Sequence, residues 1–300
     1  MSDSTPLLIE REGGVLTLTN NDPPINRMSF EYMDALEAAV NDAANDPEVR
    51  VLVLTAVGEK DFSVGMDLKQ LQSGAAERGG PDAVFDQRLR VLATIESMDK
   101  PSIATLFGYC LGGGLELPLA CHFRLAAAEG AKIGLPELDL GAVPAWGGTA
   151  RLTRCVGRDA ALDMILRAKK ISGPEALRIG LVQEVHPLSE LKDAAQALAR
   201  ELAAMPPIAV AGVLRCVVGA GAASLEEALA EERAAVRRCG SASRQTGGPA
   251  LRTPRAGWGV PFEKGCPARG VGRRDKLRGF GGREQGSRAE NRNVGTCRTA

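Results

Sequence analysis

Two carboxylates and two glycine turns are the residues in this sequence best suited to chemistry. Glu116 lies in GYCLGGGLELPLAC (residues 108–121), two residues after Gly112, Gly113 and Gly114 and among apolar neighbours. A carboxylate in that setting has two readings. It is held at a helix start by free backbone N–H groups and the helix dipole, or it is kept in a dry pocket for proton transfer. Glu137 lies in KIGLPELDLGAVPAWGG, between Pro136 and Pro144. The prolines predict an irregular loop, and taken alone Glu137 reads most simply as a solvated loop acid. The two acids are too far apart in sequence to share a helix face, so only tertiary folding can pair them. The glycines add a separate signal. Gly112–Gly114 place N–H groups at a strand-to-helix turn with no Cβ to block approach, a setting for an anion or a developing oxyanion. Ser63-Val64-Gly65-Met66-Asp67 is a second such turn, after a buried strand and before a short helix. One amide from each turn could converge on a single carbonyl oxygen; tight packing is the plainer use of either turn.

The elements that must position these residues are readable. LLIEREGGVLTLTNN predicts two short strands joined at Glu12-Gly13-Gly14. Ser29 is placed to cap a helix running to about Asn45, with Met33, Leu36 and Val40 on one face. Arg50–Thr55 and SIATLFG read as buried strands, with a helix from Pro81 to Ser97 between them. The glycine run opens an apolar helix. FRLAAA and LVQEV (181–185) give two more strands. Ser172-Gly-Pro-Glu175 and Ser224-Leu-Glu-Glu227 fit capping boxes. Residues 188–238 are helical in pattern, broken at Pro206-Pro207. Strands alternating with helices predict an α/β core with parallel pairing.

Composition removes several function classes. The chain has 300 residues, 44% hydrophobic and 25% charged, with zero formal net charge. The whole chain therefore makes no electrostatic case for nucleic acid. Residues 241–300 differ: 13 Lys/Arg against 4 Asp/Glu give +9, and 12 of the 35 glycines fall there. No stretch offers the ~18 consecutive apolar residues of a membrane span, and the N-terminus lacks the pattern of a signal peptide. Seven cysteines, with no C-x-x-C pair, are expected to be buried reduced thiols of a cytoplasmic protein. With two histidines far apart, His122 and His186, a zinc site or a serine triad is hard to build. No GxSxG, Walker A or GxGxxG motif occurs.

FSVGMDL, KPSIATLFGYCLGGGLELPLACHFRLAAA, IGLPELDLGAVPAWGGTARL and ISGPEALRIGLVQEV occur in this order. Together they resemble the crotonase (enoyl-CoA hydratase/isomerase) superfamily, over about Leu8 to Arg238. The resemblance implies an α/β spiral of ββα units followed by a C-terminal helical region that assembles trimers or hexamers. It also implies an acyl-CoA thioester substrate and no metal or redox cofactor, coenzyme A being part of the substrate. Position by position, it assigns the oxyanion-hole amides to Met66 and Gly113, and the two water-flanking glutamates to Glu116 and Glu137. It places Arg27, Met28, Ser63, Gly65 and Asp67 around the substrate. Leu68, Gly112, Pro136 and Trp146 complete that set, with Arg27 near the segment that contacts coenzyme A. The implied organisation is a spiral core with the acyl-CoA site over 1–187, an oligomerising helical region over 188–238, and an Arg/Gly-rich tail over 239–300.

Three positions and the tail depart from the family pattern. Met66 stands where many members carry alanine, and Trp146 where a small residue is common. The pair is expected to shape the pocket for a particular acyl group, flat or aromatic, although Trp146 also suits core packing. His122 replaces an aspartate at a helix end, where a cation is favourable, and reads as structural. The tail is either a disordered basic extension or the product of a reading-frame change. The second is preferred, because a normal structural element is missing. The resulting reading is an enoyl-CoA hydratase. An isomerase or an acyl-CoA lyase of the same family is the alternative. A non-catalytic protein that binds RNA or an acidic partner through its basic tail is the rival of another class.

Overall fold

The structure, a computed structural model, describes residues 5–245. Strands β1 (Leu7–Glu12) and β2 (Val15–Asn20) form an antiparallel hairpin, turned at Gly13 with φ +55°. Helix α1 (Phe30–Asn45) follows, with Ser29 Oγ accepting from the Tyr32 N–H at 3.1 Å. Its Met33, Leu36 and Val40 are fully buried, as their spacing predicts. Then come β3 (Val51–Ala56), the short α2 (Leu68–Gly74) and α3 (Pro81–Ser97). Proline at the first turn starts α3, and its buried face is Val84, Arg88, Val91, Leu92 and Ile95. Four of these are apolar at helical spacing, and the fifth is an arginine.

Strand β4 (Ser102–Leu106), β5 (Tyr109–Leu111), α4 (Gly113–Leu119), β6 (Phe123–Ala127) and β7 (Lys132–Gly134) run in close succession. After them come α5 (Gly148–Val156), α6 (Arg158–Leu166), α7 (Gly173–Arg178), β8 (Glu184–His186), α8 (Leu188–Ala203), α9 (Pro207–Gly219) and α10 (Leu225–Gln245). The main sheet has six strands in the order β1-β2-β3-β4-β6-β8, parallel from β2 onward. Its central strands are buried on both faces, which fits their continuous apolar sequence. A second sheet pairs β5 with β7 in parallel, with Leu111 opposite Gly134.

The expected α/β architecture, with a sheet built from ββα units and many helices, is present. The caps at Ser172 and Ser224 form, the latter with Ser224 N–H and Glu227 N–H bonded reciprocally to the other residue's side chain. Some details differ from expectation. β5 and β7 stand where the sequence suggested only turn and loop. They are three residues each, too short for a periodic signal. β8 starts at Glu184, since pairing to β6 begins at Leu125–Glu184, while Leu181 and Val182 pack into the core ahead of it. α10 runs past Arg238 to Gln245, because 239–245 contains no proline and its one glycine does not stop the helix. The remainder of the proposed tail, 246–300, lies outside the described residues. Cys110 and Cys121 are buried, whereas Cys155, Cys216 and Cys239 are only partly so; Cys110, Cys121, Cys155 and Cys216 are free thiols.

The three central glycines each meet a different neighbour. Gly112 has φ +56°. A Cβ on Gly113 would lie 2.5 Å from the Trp146 ring, and one on Gly114 would lie 2.3 Å from the Ser63 carbonyl oxygen. Backbone cannot yield as a flexible side chain can. Gly114→Ala is therefore expected to cost about 1–3 kcal/mol, measured by denaturant unfolding. An unchanged midpoint would show that α4 is free to move off the Ser63 segment.

Candidate active site

The pairing of β5 builds the site. On one side, Ser63 pairs with Cys110: Ser63 N–H donates to the Tyr109 carbonyl at 2.9 Å, and Leu111 N–H to the Ser63 carbonyl at 3.0 Å. On the other side β7 pairs with β5, and Gly112 N–H continues the ladder to the Gly134 carbonyl at 3.2 Å. The first pairing carries the Gly65–Met66 turn to the glycine run. The second carries Glu137, three residues beyond Gly134, to the same place.

The Gly65 turn is held at several points. Ser63 Oγ accepts from Gly65 N–H at 3.0 Å, and the Gly65 carbonyl accepts from Met28 N–H at 2.8 Å. Gly65 has φ +88°, and a Cβ there would lie 2.8 Å from the Leu111 carbonyl and 3.0 Å from the Gly113 nitrogen. The two turns therefore touch. Among the described residues, neither the Met66 N–H nor the Gly113 N–H has an acceptor. Two unused donors at adjoining turns are the arrangement that a carbonyl oxygen gaining negative charge requires.

The carboxyls lie beside them. Glu116, on the first turn of α4, is 2% exposed. Its Oε1 accepts from Trp146 N–H at 2.8 Å and from Gly148 N–H at 2.9 Å. Burial pushes its pKa up from 4.5 to about 7, against the pull of those two amides, and the nearby Glu137 charge raises it further. Glu137 starts a 3-10 turn (Glu137–Leu140) rather than an open loop. Its Oε1 lies 3.2 Å from the position a Gly112 Cβ would take, and its Oε2 is buried without a partner among the described residues. Burial raises its pKa as well. The solvated-acid reading of Glu137 is thereby corrected.

The other assigned positions divide into supports and bystanders. Met28 and Ser63 are buried and hold the Gly65 turn, and Pro136 precedes the Glu137 turn. Asp67 caps α2 through Oδ1 and pairs through Oδ2 with Arg27 at 3.3 Å. Arg27 also pairs with Asp22 at 2.9 Å, so its half-exposed guanidinium is anchored beside the Met66 turn. Leu68 is 47% exposed on α2. Trp146 is buried and lies against Gly113. The sequence reading missed Gly148 and Arg151. Gly148 donates to Glu116 and has no room for a Cβ, which would lie 2.8 Å from the Glu116 side chain. Arg151 donates to the Trp146 carbonyl at 2.9 Å and is pinned by Glu96. The Gly147-Gly148 pair was the available signal for the first; none marked the second. His122 is not a helix-end cation. Burial lowers its pKa, and its Nδ1 accepts from Ser102 N–H at 3.0 Å, as a neutral ring does.

Residues 10–250 match the profile of the enoyl-CoA hydratase/isomerase family. The chain belongs to that family. A short-chain-enoyl-CoA hydratase of Clostridium acetobutylicum is 33% identical over 240 residues, covering 80% of this chain and 91% of the relative. A carnitinyl-CoA dehydratase of Salmonella agona is 40% identical over 214 residues, covering 71% and 79%. Among solved structures, an enoyl-CoA hydratase from Bacillus anthracis superposes with a TM-score of 0.72 at 28% identity, over 81% of this chain and 97% of that one. Pseudomonas aeruginosa DspI superposes at 0.74 and 30% identity, over 83% and 97%. This enoyl-CoA hydratase/isomerase family member thus carries a buried and a half-buried acid next to a pair of free amides.

The Glu116 environment makes a stability prediction. A carboxyl whose pKa is higher folded than unfolded disfavours folding as it ionises, so the cost grows between pH 4.5 and about 7 and then levels off. A glutamine at this position offers the same amides an acceptor without the charge. Glu116→Gln is expected to melt several degrees above the wild type at pH 8, with the gap closing toward pH 4.5. Thermal melts across pH check this; a gap that widens on acidification refutes it.

Proposed function

We propose that the protein is an acyl-CoA hydro-lyase that catalyses reversible syn addition of water to a 2-enoyl-CoA, giving a 3-hydroxyacyl-CoA. The observation that carries this reading is the meeting of two unused backbone amides with two carboxyls of raised pKa, one buried and one half-buried. The thioester oxygen binds to the Met66 and Gly113 N–H groups. As water adds to the β-carbon, electron density moves through the conjugated system onto that oxygen, and the two donors stabilise the enolate. Removing one such donor typically costs ~10²–10³ in rate.

Water sits between Glu116 and Glu137. One ionised carboxyl takes a proton from the water as its oxygen bonds to the β-carbon, and one protonated carboxyl delivers a proton to the α-carbon. The same steps in reverse expel water from a 3-hydroxyacyl thioester. The two acids must hold one proton between them, and their burial in a shared site favours that state near neutral pH. The proton belongs to the pair rather than to either residue. Relatives named as a hydratase and a dehydratase support a reaction of this class. An isomerase needs only one shuttling acid; the buried, unpartnered Glu137 Oε2 beside a second buried acid favours water addition.

Hydration of crotonyl-CoA, read at the enoyl absorbance, is the direct test. Glu116→Gln and Glu137→Gln are each expected to lower kcat by at least ~10². The wild-type rate is expected to fall on both sides of a maximum near neutral pH. If 3-enoyl to 2-enoyl isomerisation is faster than hydration and survives Glu116→Gln, the isomerase reading replaces this one.

A further inference from the structure

Helices α9 and α10 leave an open groove of about 840 Å³ between themselves and the body of the protein. That volume falls within the ~300–1,000 Å³ of ligand clefts. Ala234, Arg237, Arg238 and Ser241 line it from α10, at i, i+3, i+4 and i+7, which is one face of a helix. Ile208, Ala211 and Arg215 line it from α9, again on one face. The facing wall is the Pro47–Arg50 segment before β3, the Asp99–Lys100 pair before β4 and Leu202 of α8. The groove therefore faces inward. The outward faces of the same two helices carry exposed Val213, Val217, Leu225, Leu229 and Val236, about half a turn round from it. An apolar contact with another molecule has that outward face to use. Among the described residues that form the groove, none belongs to the candidate active site.

The floor is aliphatic, made by Val49, Leu202, Ile208 and Val210. The described residues that form the groove include no aromatic ring, so a nucleotide base would find nothing to stack on. Charge at the rim is one-sided. Arg50, Lys100, Arg215, Arg237 and Arg238 reach it against a single acid, Asp99. Asp99 is taken by Arg215, whose Nε donates to Oδ1 at 2.7 Å, and Arg238 pairs with Glu231 at 2.5 Å. The other three cations touch no carboxylate among the described residues. Arg50 donates to the Met205 carbonyl at 2.5 Å. Lys100 Nζ donates to the Ala43 and Asp46 carbonyls, each at 2.5 Å, which leaves one of its three N–H donors unused. The exposed Arg237 guanidinium has no partner among the described residues.

An aliphatic floor with excess cations at its rim is complementary to a hydrocarbon chain that ends in an acid. Residues 246–300 carry 12 Lys/Arg against 4 Asp/Glu and have the wrong charge to fill it. We propose that the groove is a second ligand site, separate from the acyl-CoA site, for a fatty-acid anion. The chain lies on the floor, and the carboxylate meets Arg237 and the unused donor of Lys100. Such a ligand fills the seam between the C-terminal helices and the body of the protein, so its binding stabilises the whole. The site shares no residue with the reaction proposed above and stands or falls apart from it.

Calorimetry on the full-length protein with decanoate, and with decanol as its uncharged counterpart, reads the site directly. The wild type is expected to bind decanoate ~10-fold more tightly than decanol. Decanoate should also raise the thermal midpoint. Arg237→Gln, a change at an exposed position, should lower the decanoate-to-decanol ratio several-fold and leave decanol binding as it was. Ala211→Phe, which fills the floor, should abolish binding of both. Excess butyryl-CoA should leave decanoate bound. Equal wild-type affinities, an unchanged ratio in Arg237→Gln, or decanoate binding that survives Ala211→Phe overturn the proposal. So does displacement by butyryl-CoA, which places decanoate in the acyl-CoA site. Self-association in sedimentation that Ala211→Phe abolishes also overturns it, because the occupant is then a second copy of the chain. If Ala211→Phe fails to fold, the ratio in Arg237→Gln decides alone.

Discussion

Three residues of backbone pairing, Tyr109–Leu111, hold the site together. This strand is hydrogen-bonded on one side to the Ser63 segment and on the other to β7. The first contact sets the Met66 turn against the glycine run, and the second sets Glu137 beside Gly112. Neither the oxyanion pair nor the acid pair exists in any single segment. Both follow from the register of one short strand, and a slip of one residue would turn every side chain to the opposite face. The absence of Cβ atoms at Gly65 and Gly114 lets the backbones approach closely enough for that register to form.

The same packing makes the site electrostatically expensive. Glu116 and Arg88 are withdrawn from water and Glu137 partly so, and among the described residues none has a partner of opposite charge in direct contact. Glu116 is offset by two amides, and Arg88 by one carbonyl, one side-chain oxygen and two aromatic faces. Elsewhere some cations meet a carboxylate, as Arg78 does Asp34 and Arg151 does Glu96, whereas the buried Arg124 guanidinium is held by the Leu181, Pro118 and Cys121 carbonyls. Glu116 and Arg88 both lie against Trp146. Perturbed groups gathered in that way mark a place where stability has been given up for chemistry.

Much of the scaffold was legible from local signals. Ser29, Ser172 and Ser224 cap helices as their spacing to later residues implies, because capping depends on backbone only a few residues away. Pro81 opens α3, and Pro206-Pro207 separates α8 from α9, because proline acts on its own turn. The short strands β5, β7 and β8 were poorly legible. Three residues carry too little periodicity, and their pairing is decided by distant partners. The charge state of His122 was misjudged for a similar reason. Position at a helix end favours a cation, but burial against Ser102 overrides it. Arg88 was not singled out from the sequence, because a charge on a helix says nothing of its burial or of which groups from elsewhere meet it.

The sequence by itself determined the residue types at the site, the α/β alternation and the family resemblance, because motif spacing and helix caps are local properties of the chain. It supplied two glutamates and two glycine turns without showing that they meet. Tertiary structure decided that they do, that Glu116 is held by the Trp146 and Gly148 amides, and that no carboxylate of the described residues answers Arg88. Those outcomes depend on strand register and on burial. Register joins residues far apart in sequence, and burial sets the dielectric around each charge; neither is a property of any local stretch.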